Sequence, residues 1–248
     1  MTASRGSKRA PAPAAANQDS DLGARRVAAV TIADRLRAFY GEPSLRPLQD
    51  PLAELVQTVL SQNTADVNSD RAFASLTARF GGDWDAVRAA PTVEVADAIR
   101  IGGLADVKAA RIKSILDRIV ELCGELDLAF LRHVSLEEGR AFLRSLGGVG
   151  PKTAACVLLF SCGKPAMPVD THVHRVSQRL GLVPAKATAD QAHALLEEIV
   201  PPEQVYHVHM LLIRHGREIC KAQRPRCPIC PVVHLCPYEN KSPATDVA

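Results

Sequence analysis

The sequence contains few aromatic residues and no long hydrophobic run. Aromatic side chains make up 4% of its 248 residues, and no stretch between turn residues alternates apolar with polar side chains, which excludes a predominantly β fold. The nearest approach to a long apolar run, AACVLLF at 154–160, is far shorter than the roughly 20 residues that cross a bilayer. We therefore expect no membrane segment.

The beginning of the chain also lacks the continuous apolar core of a secretory signal. Residues 1–26 are rich in Ala, Pro and Ser and carry basic side chains, so we expect a disordered basic arm there and a short tail at 241–248. Seven cysteines without such a signal argue against a disulfide framework. We expect an intracellular protein, in the cytoplasm or nucleoid of a bacterium.

The net charge of +3 is too small to identify an acidic partner by itself. Its distribution along the chain is more informative. Residues 50–140 carry ten Lys and Arg against fifteen Asp and Glu, whereas 147–186 carry five basic residues against Asp170 alone. The second window indicates a local positive surface of the kind that binds a phosphate backbone.

Helical periodicity is the main secondary-structure signal in the sequence. Apolar residues recur at i, i+3 and i+4, and some segments carry a capping signature, such as Ser135 followed by Glu138. We predict an all-α protein without internal repeats of the solenoid type. The predicted helices span 27–40, 51–62, 70–80, 84–90, 92–101, 108–124, 135–146, 152–162, 170–182 and 189–200.

The stretch LGGVGPKTAACVLLF at 146–160 predicts a glycine hairpin between two helices. Glycines at 147, 148 and 150 let backbone N–H groups approach a ligand closely, and Lys152 stands at the start of the second helix. Free N–H groups at a helix start favour anions. The alternative interpretation is a helix–helix turn that needs glycine only for its geometry.

Four cysteines near the C-terminus have the spacing of a metal site. Four thiolates on a folded loop bind either zinc or a [4Fe–4S] cluster, and a single C-x-x-C pair favours the cluster without deciding the matter. The basic loop KAQRPR (221–226) is predicted to lie on a phosphate backbone, or else to be a solvated surface run. The thiols form the pattern Cys220-x6-Cys227-x2-Cys230-x5-Cys236.

Together these features resemble the endonuclease III family of base-excision DNA glycosylases, within the helix-hairpin-helix superfamily. The most specific parts of the resemblance are LGGVGPKTA (146–154), VDTHVHRV (169–176), HGREIC (215–220) and the cysteine spacing. The resemblance implies two α-helical lobes and a [4Fe–4S] cofactor on the four cysteines. The implied lobes are a six-helix lobe over 50–165, with the helix-hairpin-helix at about 135–160, and an iron–sulfur cluster lobe over 27–49 and 166–240.

The resemblance also implies a bifunctional DNA glycosylase and AP lyase that removes oxidised pyrimidines and cleaves the abasic site by β-elimination. By the family's motif, Lys152 is the nucleophile and Asp170 its carboxylate partner. Lysine suits this reaction, because an amine can attack C1′ of a flipped nucleotide and become a Schiff base. The implied partner is double-stranded DNA with a damaged pyrimidine or an abasic site, and we expect a monomer.

DNA contacts follow from the same resemblance. They lie in the hairpin, in two loops that fill the space left by a flipped base, in the basic loop and in the helix after Asp170. In the first loop an ungapped alignment favours Asn63 as the inserted side chain, but Gln62 is adjacent and both stay candidates. The full set is Gly148, Gly150, Thr153, Gln62, Asn63, Leu104, Lys221, Arg224, Arg226 and His172.

The sequence departs from the family pattern at two places. Gly147 and Pro151 replace a proline and an arginine that are frequent in the hairpin, so one cationic contact is missing there. Ala105 and Asp106 replace a Tyr-Asn pair that often follows the inserted leucine. We expect the second change to alter the surface that faces the opposite strand.

Three other functions are weighed against this one. An adenine-mispair glycosylase would lack the hairpin lysine and carry a further C-terminal domain, and a thymine-mispair glycosylase is also disfavoured by Lys152. A non-catalytic DNA-binding module with zinc on the four cysteines is the alternative from a different class. The colour of the purified protein distinguishes an iron–sulfur cluster from zinc on the four cysteines, because an iron–sulfur protein is brown and a zinc protein is colourless.

Overall fold

The fold is helical throughout the part of the chain that can be described. The computed structural model describes residues 13–243, with side chains from Asp21 onward, and contains no β-strand in that range. The predicted all-α class is thereby confirmed. The helices are α1 Pro13–Tyr40, α2 Pro51–Ser61, α3 Asp66–Phe80, α4 Trp84–Ala89, α5 Thr92–Ala98, α6 Ala105–Cys123, α7 Leu136–Arg144, α8 Pro151–Cys162, α9 Thr171–Arg179, α10 Ala189–Ile199 and α11 Val205–Glu218.

Two separate hydrophobic cores organise these helices. The first is enclosed by α2 to α8 and contains buried side chains such as Leu55 and Leu116. The second is built from α1 and α9 to α11, with Leu36 and Leu212 among its buried residues. Among the helices described, none is both long and apolar enough to span a bilayer. The lobe boundaries proposed from the sequence stay a prediction.

Helix α8 joins the two cores. Its neighbouring residues Leu158 and Leu159 face different cores, and most of its other residues are buried as well. A helix that is apolar on all sides is buried on all sides. The residues at the start of α8, including Lys152, therefore lie where the two cores meet.

Two sequence-based expectations about the helices were wrong. The expected disordered arm is contradicted over 13–26, because α1 begins at Pro13, while residues 1–12 lie outside the described range. Alanine-rich sequence favours helix, Asp21 and Arg25 form an i,i+4 ion pair, and Leu22 packs on the second core. Helix α11 was missed, although Val205, Val208 and Leu212 repeat at helical spacing and are buried.

The expected cap is present at α7, and α9 carries a cap as well. Ser135 and Glu138 form a reciprocal capping box at the start of α7. Asp170 is the N-cap of α9, and its Oδ1 accepts a hydrogen bond from the backbone N–H of Val173 at 2.7 Å. These caps satisfy backbone N–H groups in the first turns of α7 and α9 and so fix where the two helices begin.

Candidate active site

The hairpin between α7 and α8 carries Lys152 on its outgoing side. Gly148 has φ +83°, a left-handed conformation that side-chain-bearing residues rarely adopt. Gly150 is the N-cap of α8 and Pro151 the first helical residue, so the backbone N–H groups of Lys152 and Thr153 are among those without an intrahelical partner. The hairpin thus presents amide donors beside a lysine.

Lys152 and Asp170 share their surroundings. Both side chains are half-buried, and the charges of both act on the buried thiol of Cys156 and on the imidazole of His209. Burial raises the pKa of Cys156 to about 11, so this thiol stays protonated beside the amine. An amine and a carboxylate at the starts of two successive helices, over the same buried groups, form the candidate catalytic pair.

Glu54 is a further carboxylate at this site that the sequence analysis missed. It lies on α2, which packs against α8, and accepts a hydrogen bond from the Thr58 hydroxyl at 3.2 Å. Burial raises the pKa of Glu54, and the charges of Lys152 and Arg46 partly oppose that effect. The signal in the sequence is a single charged residue in α2, which also fits a solvated surface position.

His209 lies behind the pair as a neutral group. Its Nδ1 is 3.0 Å from the carbonyl oxygen of Pro168 and must carry a proton to donate to it. Burial lowers the pKa of His209 to about 4, and the charge of Asp170 works in the opposite direction. The imidazole therefore ties α11 to the segment that leads into Asp170 without adding a positive charge.

The two predicted DNA-inserting loops both expose a residue in a left-handed conformation. Asn63, between α2 and α3, has φ +53° and is exposed. Leu104, just before α6, has φ +51° and is 57% exposed. Such backbone is unfavourable for leucine by about 1–2 kcal/mol, and strain of this kind concentrates at functional sites.

Gln62 does not project in the same way as Asn63. Its Nε2 donates to the Thr153 hydroxyl at 3.3 Å, and its Oε1 accepts from Arg111 Nη1 at 2.5 Å. Thr153 itself is buried. The structure therefore places Gln62 and Thr153 against each other, whereas the side chain of Asn63 is exposed.

A cation is present at the hairpin despite the departure from the family pattern. A Cβ added to Gly148 would lie 2.8 Å from Cδ and Nε of Arg111, so the Arg111 side chain covers the hairpin directly. Sequence reasoning missed this residue because α6 and the hairpin are far apart along the chain. Arg111 thus brings a positive charge to Gly148 from a different helix.

The four cysteines line one pocket between α11 and the C-terminal segment, together with the apolar side chains of Leu180, Ile219 and Val233. None of the four forms a disulfide. Within the described residues no group of three or more His, Cys, Asp and Glu converges closely enough to hold a single metal ion. Four thiols lining one pocket are the set of ligands that a [4Fe–4S] cluster takes.

Hydrogen bonds connect this cysteine pocket to α9. Arg179 Nη1 lies 3.5 Å from the Cys220 sulfur and donates to the Lys221 carbonyl at 2.7 Å. Arg175 donates to the carbonyls of Gly216 and Cys220. The α9 helix, which Asp170 caps, is thus tied to the cysteine loop by two arginines.

The remaining predicted contacts lie on this side of the molecule. His172 Nδ1 accepts from Arg175 Nη2 at 3.1 Å, so one face of this imidazole is already engaged. The three cations of the loop between the first two cysteines are all exposed, and their contact with DNA stays a prediction. These cations are Lys221, Arg224 and Arg226.

Comparison with known proteins agrees with this geometry. Residues 56–202 match the family model described as HhH-GPD superfamily base excision DNA repair protein. A putative DNA glycosylase of Arabidopsis thaliana is 45% identical over 166 residues, which are 67% of this chain and 56% of the plant protein, so the chain spans about half of that relative. Endonuclease III of Thermotoga maritima is 36% identical over 192 residues, 77% of this chain and 85% of that protein.

A solved structure of a related enzyme has a similar fold over most of the chain. The trapped endonuclease III–DNA covalent intermediate, in its estranged-adenine complex, superposes with a TM-score of 0.71 at 30% identity, covering 83% of this chain and 92% of that one. The matched family region contains the hairpin, Lys152 and Asp170, and it extends over more than half of the chain. The chain therefore belongs to the HhH-GPD superfamily of base excision DNA repair proteins, as an endonuclease III-like helix-hairpin-helix glycosylase.

Proposed function

We propose that the protein is a bifunctional DNA glycosylase and AP lyase acting on oxidised pyrimidines in duplex DNA. In this reaction the neutral amine of Lys152 attacks C1′, and the bond from C1′ to the base breaks as the base leaves with its electron pair. The sugar ring opens to a Schiff base. Loss of the 2′ proton then breaks the bond to the 3′ phosphate oxygen by β-elimination.

The observation that carries this proposal is the juxtaposition of Lys152 and Asp170 over Cys156 and His209. A carboxylate next to the reacting sugar stabilises the positive charge that develops there as the base departs. Glu54 supplies a second carboxylate near the amine, and we assign it the role of accepting the ammonium proton. The covalent intermediate trapped for the related endonuclease III supports the same type of chemistry.

The hairpin and the two exposed loop tips would hold the duplex. Amide donors at the start of α8, with Arg111 over Gly148, suit a phosphate oxygen. Asn63 and Leu104 suit the space vacated by an extruded nucleotide, because both are exposed at tight turns. We propose Asn63 rather than Gln62 for the first loop, since Gln62 is held by Thr153 and Arg111.

A [4Fe–4S] cluster would be held by the four cysteines that line the C-terminal pocket. Bound there, it would crosslink the segment from Cys220 to Cys236 and so give a fixed shape to the exposed basic loop. That segment has only short 3₁₀ turns of its own and no regular α-helix. We assign the cluster this structural role, and we assign the basic loop to the phosphate backbone.

Borohydride trapping on a duplex with one abasic site tests the proposal. The wild type is expected to form a covalent adduct that survives denaturation, and Lys152→Gln is expected to form none. Lys186→Gln is the matched control, because it removes an exposed lysine that lies outside the hairpin and outside α8 and α9. A wild-type protein that binds the duplex but leaves no adduct would show that Lys152 only contacts phosphate.

Lesion preference is tested on the same duplex scaffold. We expect excision of an oxidised pyrimidine such as thymine glycol, followed by strand cleavage without added alkali. Excision that leaves an intact abasic strand would instead identify a glycosylase without lyase activity. Equal binding of damaged and undamaged duplexes with no product would favour the non-catalytic module.

A further inference from the structure

Lys108 is a buried lysine that the proposed mechanism does not use. It lies near the start of α6, is only 2% exposed, and makes no ion pair among the described residues. Its ammonium donates instead to the carbonyls of Leu60 and Gly102, at 2.6 and 3.0 Å, and to the Thr64 hydroxyl at 2.5 Å. Burial lowers the pKa of Lys108. A buried cation on neutral acceptors is costly, so this arrangement needs an explanation.

The acceptors lie in or next to the two DNA-inserting loops. Leu60 is in the last turn of α2 and Thr64 in the loop after it, one on each side of Asn63, and Gly102 precedes Leu104 in the second loop. The Thr64 hydroxyl also donates directly to the Gly102 carbonyl at 2.6 Å, which closes a small network. One ammonium group and one hydroxyl thus connect two loops that are about forty residues apart in the chain.

The loop tips need such support because of their backbone conformation. Asn63 and Leu104 are both left-handed, and non-glycine residues hold that conformation only where the surroundings over-determine it. Neither tip is covered by other side chains, since both are exposed. Backbone hydrogen bonds, from Thr64 N–H to the Ser61 carbonyl and from Lys108 N–H to the Leu104 carbonyl, each act within one loop. The buried hydrogen bonds from the Lys108 ammonium lie beneath both tips and constrain one relative to the other.

We propose that Lys108, with Thr64, is a positioning residue that holds the two loop tips at one fixed separation, so that Asn63 and Leu104 enter the duplex together. This inference rests on the proposed function. It assigns Lys108 to nucleotide extrusion and not to chemistry at Lys152. Loss of the brace should therefore slow extrusion from a paired duplex and spare a nucleotide that is already unpaired.

The test compares excision of one oxidised pyrimidine in two single-turnover substrates, a fully paired duplex and a duplex with the lesion in a five-nucleotide bubble. Lys108→Met keeps the length of the side chain and removes its donors. Thr64→Val keeps the shape of the side chain and removes the hydroxyl bridge. For each variant the readout is the ratio of the two rates, because a general loss of folded protein lowers both rates equally.

Lys113→Met is the matched control. Lys113 lies on the same helix and also donates to backbone carbonyls, those of Arg88 and Ala90, but it contacts neither loop. Its loss should resemble the loss of Lys108 in stability and leave the ratio of the rates unchanged. Thermal unfolding of all three variants records the stability change separately.

We expect Lys108→Met to lower excision from the paired duplex by about 10-fold or more, and from the bubble by less than about 3-fold, as for misplacement of a positioning group. Thr64→Val should change the ratio in the same direction, by a smaller factor. If both variants lose activity by the same factor on the two substrates, or lose none, the ratio of the rates is unchanged, and that result would overturn the proposal. If Lys108→Met does not fold, Thr64→Val alone decides. Borohydride trapping by the wild type is run in parallel, because its absence would refute the proposed function and not this inference.

Discussion

Replacement of Leu104 by glycine should separate activity from stability. Leu104 is 57% exposed and has φ +51°, so the side chain contributes little to either core while its backbone is strained. Glycine relieves a left-handed penalty of about 1–2 kcal/mol. It also makes the unfolded chain more flexible, which costs about 0.4–1 kcal/mol.

Removal of the leucine side chain also loses the apolar surface that it buries. Full burial of a leucine contributes about 1.5–3 kcal/mol, and less than half of this side chain is buried, so its removal costs about 1 kcal/mol. The free energy of unfolding of Leu104→Gly should therefore stay within about 1 kcal/mol of the wild type, or a few degrees in Tm. Excision from a paired duplex should fall by about 10-fold or more, because nothing fills the space left by the extruded nucleotide.

Val107→Ala is the control for this experiment. Val107 is 56% exposed, almost as much as Leu104, but it lies within α6 and not at the loop tip. Denaturant unfolding and single-turnover excision are measured for both variants. An unfolding free energy more than about 2 kcal/mol below the wild type for Leu104→Gly would refute the strain argument, and equal activity losses in the two variants would refute the role of the tip.

Four further changes test other parts of the site. His209 has a pKa of about 4 in the folded protein against 6.5 ordinarily, so the unfolded chain binds more protons between these two pH values. The free energy of unfolding should therefore rise by about 3 kcal/mol from pH 4 to 6.5. Urea unfolding at several pH values should show a smaller rise for His209→Asn. Gly148→Ala should lower both stability and duplex affinity, because Gly148 has φ +83° and the Arg111 side chain lies close to it. Gly147 has open space around it, so Gly147→Ala should change neither. Equal effects of the two substitutions in calorimetry and in DNA titration would contradict this. Cys227→Ser should lose the brown colour and iron content expected of the wild type and weaken DNA binding, and a colourless wild type containing zinc would overturn the cluster assignment. Glu54→Gln should slow adduct formation. Because burial raises the pKa of Glu54 in the folded state, the stability of the wild type should fall as pH rises above about 4.5, and the stability of Glu54→Gln should not show that fall.

Much of the fold could be predicted from the sequence because the signals are local. Apolar spacing identified ten of the helices, and the capping residues Ser135 and Asp170 stand where the helices begin. The hairpin and the cysteine pattern also lie within short segments, so the family could be named from them. Helix α11 was missed although the same kind of spacing runs through it.

The arrangement around the site depends on contacts between distant segments. Nothing local separates Gln62 from Asn63, but the side chain of Gln62 donates to Thr153, 91 residues away, and is thereby held against α8. In the sequence Lys108 cannot be distinguished from a surface lysine. Its ammonium is buried because α6 packs beneath both loops. Residue types and their order determined the helices, the hairpin and the thiol set. Only tertiary packing decided which side chains are exposed at the loop tips and which polar groups are buried beneath them, because burial is a property of the neighbours that folding brings together.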